Sequence, residues 1–232
     1  MLPSVRLEHH SSVQVYRSIG HPPVHQQHVD PDHTKIRPSV KSITALQLTG
    51  SSTITQSTPV LFKVVVTGSE CTGKTTLAQA LAERFETAFS TEGARDYLNK
   101  VQRPLSFADV EPIAHHQMSL EGQALERAGN LAILDTDLVS TVIYSRHYYG
   151  RCKTLITEMA ESRMADLYLV CDIDVPWTED GPQRDQGEPE QRLQLHQTFI
   201  SELDRIQARY EILSGGADTR LERATTIIEA HL

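Results

Sequence analysis

What this 232-residue chain lacks narrows its class before any motif is read. It has only three cysteines, Cys71, Cys152 and Cys171, far apart and without the spacing of a zinc site or a disulfide framework. No apolar run approaches the ~18 residues that a membrane-spanning helix needs. The first residues include His, Arg and Glu where a secretory signal would be apolar. The expectation is a cytoplasmic protein with reduced thiols. Positive charge is also scarce: 22 Lys and Arg face 30 Asp and Glu, for a net charge of −8, and no basic run exceeds two residues. Nucleic acid and anionic membranes attract basic patches, so neither is expected as a partner. A small molecule is. None of these features bears on oligomeric state. Hydrophobic residues make up 39% of the chain, enough for a substantial core.

Residues 1–58 differ from the rest. They hold six of the eleven histidines, several prolines and a polar Thr/Ser tract, with no sustained helical or strand period. The histidines lack the i,i+4 spacing or cysteine companions of a ligand set. This stretch is expected to be a poorly structured extension, and residues 59–232 a P-loop domain.

That domain is organised around Gly68-Ser69-Glu70-Cys71-Thr72-Gly73-Lys74-Thr75-Thr76, which fits the phosphate-loop pattern G-x-x-x-x-G-K-[ST] at every fixed position. The context agrees. Val64 to Val66 before it read as a buried strand, and Leu77, Leu81 and Phe85 after it give a helix with one apolar stripe. In such a loop backbone N–H groups and a helix N-terminus face a polyphosphate. All nine residues are candidates to bind ATP. Lys74 would reach its terminal phosphates, and the Thr75 hydroxyl would ligate Mg²⁺.

Further strands are expected at Ala88–Thr91, Leu131–Asp137, Asp166–Cys171 and Tyr210–Leu213. Helices are expected near Glu92, over Phe107–Arg127, Val139–Tyr149 and Thr154–Met164, from Pro189 with Leu193, Phe199, Leu203 and Ile206 buried, and over Leu221–Leu232. This alternation implies an α/β fold with a parallel sheet sandwiched between helices, like adenylate kinase. An apolar strand ending in acid places Asp135 or Asp137 at the sheet's C-terminal edge, to serve Mg²⁺ or an attacking hydroxyl. Asp137 also suits a helix cap. Residues 176–190, rich in Pro, Gly and charge, read as a lid. Arg184 and Arg192 are candidates to neutralise a transferring phosphoryl group.

Four stretches together carry a resemblance: the phosphate loop, Glu92-Gly93-Ala94-Arg95-Asp96-Tyr97, Leu134-Asp135-Thr136-Asp137, and Pro176-Trp177-Thr178-Glu179-Asp180-Gly181. Residues 61–228 resemble the NadR-type AAA group of P-loop proteins, in particular the ribosylnicotinamide kinase domain of bacterial NAD regulators. The lid departs from the group's tighter Asp-Gly-x-Arg pattern, reading Asp180-Gly-Pro-Gln-Arg184. The resemblance implies ATP- and Mg²⁺-dependent phosphorylation of nicotinamide riboside. In that reading Trp177 and Asp180 hold the cationic ring, by stacking and cation–π attraction of ~0.5–2 kcal/mol for the indole. Glu92 and Arg95 line the acceptor side. The other class the sequence admits is a nucleotide-dependent switch that transfers phosphate to nothing.

Overall fold

The computed structural model describes residues 61–176 and 189–232. The expected extension over residues 1–58, and Trp177, Asp180 and Arg184 within the expected lid, lie outside the described residues.

Short runs of β-branched and apolar residues form five strands: β1 Phe62–Thr67, β2 Ala88–Ser90, β3 Leu131–Asp135, β4 Leu167–Cys171 and β5 Tyr210–Leu213. All pair in parallel, in the order β2-β3-β1-β4-β5. Seven helices connect and follow them among the described residues: α1 Lys74–Arg84, α2 Gly93–Val101, α3 Val110–Arg127, α4 Leu138–Tyr149, α5 Thr154–Ser162, α6 Pro189–Arg205 and α7 Ala217–Glu229. Side chains alternate across the sheet, so β1 feeds two cores. Val64 and Val66 pack with Leu77, Leu81 and Ile228 of α1 and α7. Val65 packs with α3, α4, α5 and α6, against Leu138, Ile143, Ile156 and Phe199 among others. The sheet is buried on both faces, as its near-continuous apolar strands require.

Chain order reverses at β1, whose neighbours are β3 and β4. Crevices at the carboxyl ends of strands at such a reversal are where α/β proteins bind ligands. The register then fixes which residues meet there. Val66 pairs with Asp135 on one side and Leu169 on the other, so the acid at the end of β3 stands beside the loop that leaves β1.

Several elements differ from the sequence reading: β3 stops at Asp135 rather than Asp137, α5 at Ser162 rather than Met164, and Ile206 lies just past α6 and is half-buried. The terminal helix begins at Ala217, four residues before Leu221, because Asp218 in its first turn suits a helix N-terminus. The long third helix is preceded by a 3₁₀ turn over Phe107–Asp109. Leu193 is not on the buried side of α6 but 46% exposed. The buried stripe is Arg192, Leu195, His196, Phe199 and Leu203, whose spacing of three and four residues follows the helical turn.

The connection between α2 and α3 is pinned by one carboxylate. Buried Asp109 accepts from Arg103 (2.7 and 2.8 Å), from the Ser106 amide and hydroxyl (both 2.8 Å) and from the Tyr97 hydroxyl (3.1 Å). The Arg103 guanidinium and the Ser106 donors hold its carboxyl well below the usual carboxylate range, against the opposing effect of burial.

Where α2 begins, Gly93 lies against α3. A Cβ there would stand 3.0 Å from both the Cα and the amide nitrogen of Gln117. Gly93→Ala is therefore expected to destabilise the domain by about 1–3 kcal/mol through overpacking. Urea unfolding would show this as a lowered midpoint at unchanged slope; an unchanged midpoint would contradict the close approach.

Candidate active site

Between β1 and α1 the chain makes the turn that the glycine pattern anticipates. Gly68 has φ +129°, and a Cβ on it would meet the Cys171 carbonyl oxygen at 2.8 Å, so only glycine fits beside the end of β4. Cys71 and Gly73 also take left-handed φ values, 54° and 80°. Gly73 is the N-cap of α1 and receives no side-chain cap, so the helix's first N–H groups are free to bind an anion. The Lys74 ammonium donates to the loop's own Ser69 carbonyl (2.8 Å), as does the Thr72 hydroxyl (2.8 Å). A buried ammonium held by a single neutral carbonyl is poised to exchange it for phosphate.

Across the β1–β3 pair, the Thr75 hydroxyl donates to Oδ2 of Asp135 (2.6 Å). Asp135 is fully buried, and its Oδ1 has no hydrogen-bond partner. Burial pushes its carboxyl up to about 6, and nearby Glu92 adds to that; the Thr75 hydrogen bond, Lys74 and Arg95 oppose it. An unpartnered buried carboxylate oxygen beside a hydroxyl is what a divalent cation would satisfy. Among the described residues no group of three or more His, Cys, Asp or Glu could hold a metal. That does not count against Mg²⁺, which keeps waters and phosphate oxygens and takes one or two protein ligands. Thr75 and Asp135 fit it.

Asp137 is placed differently. It caps α4, accepting from the amides of Val139 (3.0 Å) and Ser140 (3.3 Å), and its other oxygen accepts from the Tyr168 hydroxyl (2.8 Å). Both oxygens of Asp137 are thus turned into structural bonds.

Beside Lys74 opens a cavity of about 690 Å³ between α2, α3 and α4. Glu70, Glu92 and Arg95 reach it, with Arg95 3.6 Å from Glu92. Its aromatic wall includes Tyr144 and Tyr148, stacked with ring centroids 6.1 Å apart and planes 11° off parallel. The sequence reading missed these tyrosines. It also missed Gln117, which lines the cavity, accepts from the Gly93 amide (2.8 Å) and donates to the Thr136 carbonyl (3.2 Å). One amide side chain therefore braces the neighbours of Glu92 and of Asp135 together.

Two buried arginines support the phosphate loop from the other side. Arg192, in the first turn of α6, donates to the Val175 carbonyl (2.7 Å) and the Cys71 carbonyl (3.3 Å). Arg220 of α7 donates to the Thr72 and Asp172 carbonyls and pairs with Asp174. Arg192 was among the expected site residues; Arg220, 148 positions from Thr72, left no local signal.

Comparison with known proteins shows the family and the fold. The AAA domain family model matches residues 63–220. The trifunctional NAD biosynthesis/regulator protein NadR of Escherichia coli is 30% identical over 122 residues, which are 51% of this chain and 30% of that protein. Among solved structures, NadR in complex with NR superposes with a TM-score of 0.63 at 25% identity, covering 73% of this chain and 50% of the other. Thymidylate kinase from Ehrlichia chaffeensis, at 15% identity, shares the fold alone, with a TM-score of 0.55 over 73% of this chain and all of its own. The chain thus spans under a third of the bacterial regulator and half of the solved NadR chain.

The raised Asp135 carboxyl has a signed consequence. The folded state prefers the protonated acid, so the stability it contributes is fully present below the ordinary carboxylate pKa and is lost as pH rises through about 6. In the ligand-free protein at pH 7.5 the ionised acid is a burden, and Asp135→Asn is expected to raise stability by roughly 1–2 kcal/mol. Near pH 4 the advantage should vanish. Thermal melts at both pH values would check this, and a lower melting temperature for the variant at pH 7.5 would contradict it.

Proposed function

This chain belongs to the AAA domain family, and on that premise we propose that it is an ATP- and Mg²⁺-dependent kinase that phosphorylates a riboside hydroxyl, with nicotinamide riboside as the acceptor. The observation that carries the reading is the cavity beside Lys74. A protein that only bound nucleotide would need the phosphate loop. It would have no use for a second chamber of about 690 Å³ that adjoins the loop lysine and is walled by tyrosines and carboxylates. The likeness to NadR solved in complex with NR supports the choice of acceptor.

The residues divide the work by position. The phosphate loop, residues 68–76, holds the triphosphate through backbone N–H groups, with Lys74 at the terminal phosphates. Thr75 and Asp135 would hold Mg²⁺, which would supply charge neutralisation along the phosphates. The Tyr144 and Tyr148 rings give a planar base a stacking wall. Glu92, at the start of α2, faces the cavity with Arg95 beside it, and orients the acceptor hydroxyl and takes its proton as oxygen attacks the γ-phosphorus. The bond from that phosphorus to the bridging oxygen of the leaving diphosphate breaks as the new one forms. Arg192, fixed on the Cys71 carbonyl, supplies positive charge behind the loop. The role of Arg184 at the phosphates and of Trp177 and Asp180 at the ring rests on the sequence motif.

Purified protein given γ-labelled ATP, Mg²⁺ and nicotinamide riboside should form labelled mononucleotide, and Lys74→Ala should lower turnover by at least about 100-fold. Tight nucleotide binding without transfer to this or any other nucleoside would contradict the kinase reading and favour the switch.

A further inference from the structure

We propose that Glu121, which does not line the cavity, is a positioning residue: it locks the Gln117 amide in the orientation that ties the start of α2 to the turn after β3, and so sets Glu92 against Asp135. The inference deepens the kinase reading above and rests on it.

The turn that needs holding is at Thr136, between Asp135 and Asp137. Its φ is 65°, in the left-handed region that a β-branched residue enters only at a cost. Its amide donates to the Val66 carbonyl (3.0 Å), and its carbonyl accepts from Nε2 of Gln117 (3.2 Å). Loss of the second bond would leave the strained residue free to relax, and Asp135 is its immediate neighbour.

The same amide has two further partners. Oε1 of Gln117 accepts from the Gly93 N–H (2.8 Å), next to Glu92, and Nε2 also donates to Oε1 of Glu121 (3.1 Å). A backbone N–H only donates, while a carbonyl or an ionised carboxylate only accepts, so these partners together admit one sense of the amide. Without Glu121 one Nε2 hydrogen would be unpaired. Gln117 borders the cavity, so the amide would turn that hydrogen towards water there and loosen its hold on Thr136 and Gly93.

Glu121 is an expensive way to supply that acceptor. It is buried, and its other oxygen meets only the partly exposed Arg163 (3.4 Å). Burial, and after it the nearby Asp137, push its carboxyl up to about 7, so the stability it contributes is lost as pH rises through that value. An apolar side chain of similar size would suit the core at least as well. It could not hold the Gln117 amide.

The test uses the full chain at pH 8, where Glu121 is mostly ionised, as wild type, Glu121→Met and Glu121→Gln. The first variant removes the charge and the acceptor; the second removes only the charge. Exchange of the Gly93 amide hydrogen is followed by NMR in the ligand-free protein, beside that of Val64, Val65 and Val66, and phosphoryl transfer to nicotinamide riboside is measured separately. Glu121→Met should speed exchange at Gly93 by at least about tenfold and leave the β1 amides within about twofold. It should lower kcat by about tenfold at nearly unchanged KM for ATP. Glu121→Gln should stay within about threefold of the wild type in every readout, and it carries the comparison if the methionine substitution prevents folding. Exchange that rises equally at Gly93 and in β1 would mark a merely structural residue and overturn the proposal. Unaltered exchange at Gly93, unaltered kcat in an active enzyme, or a loss in Glu121→Gln beyond that bound would overturn it too. A wild type that transfers no phosphoryl group while Gly93 responds as expected would sink the kinase reading and leave the hold of Glu121 on Gln117 standing.

Discussion

The hydrogen bond from Thr75 to Asp135 joins the two halves of the site. It links the first turn of α1 to the end of β3, and it exists because the parallel register sets Val66 opposite Asp135. Shifting that pairing by one residue would turn the carboxylate to the other face of the sheet. Everything required of the site follows from this placement: a phosphate loop on one strand, an acid on its neighbour, and a buried oxygen between them with no partner of its own. A charge so placed is costly in the empty protein, which is why burial pushes its carboxyl up to about 6. Such a site is strained towards its ligand.

Around that bond the protein spends buried polar side chains on bracing. Gln117 ties the start of α2 to the residue after Asp135, while Arg192 and Arg220 hold the loop carbonyls of Cys71 and Thr72. Asp109 fixes the connection that borders the cavity beside Lys74. Buried polar contacts of this kind restrict a site to one arrangement, which the proposed phosphoryl transfer would need because positioning supplies much of its rate.

The sequence made the scaffold readable because its signals are local. The phosphate loop, the apolar strand before it and the helix after it occupy adjacent residues. The alternation of strands and helices then implies the parallel sheet that is observed. Asp135 was legible as an acid at a strand end, but its separation from Asp137 was not. Two residues of the same type stood in one short stretch, and only the amides of Val139 and Ser140 and the Tyr168 hydroxyl show that Asp137 is a cap. The bracing residues were invisible for a related reason. Arg220 meets Thr72 only after the chain has folded, and the tyrosines of α4 look like any amphipathic helix face until the cavity is seen. Leu193 misled because an apolar residue near a helix start suits a buried stripe, whereas the true stripe begins with an arginine.

The central claim is that Asp135 and Thr75 form the metal end of a nucleotide site. Its most direct test is the affinity for ATP with and without Mg²⁺, measured by calorimetry at constant pH for the wild type and Asp135→Asn. The account predicts that Mg²⁺ tightens ATP binding to the wild type by at least about tenfold and has little effect on the variant, whose metal-free affinity stays close to that of the wild type. An equal Mg²⁺ effect in both proteins would place the metal elsewhere and contradict the account.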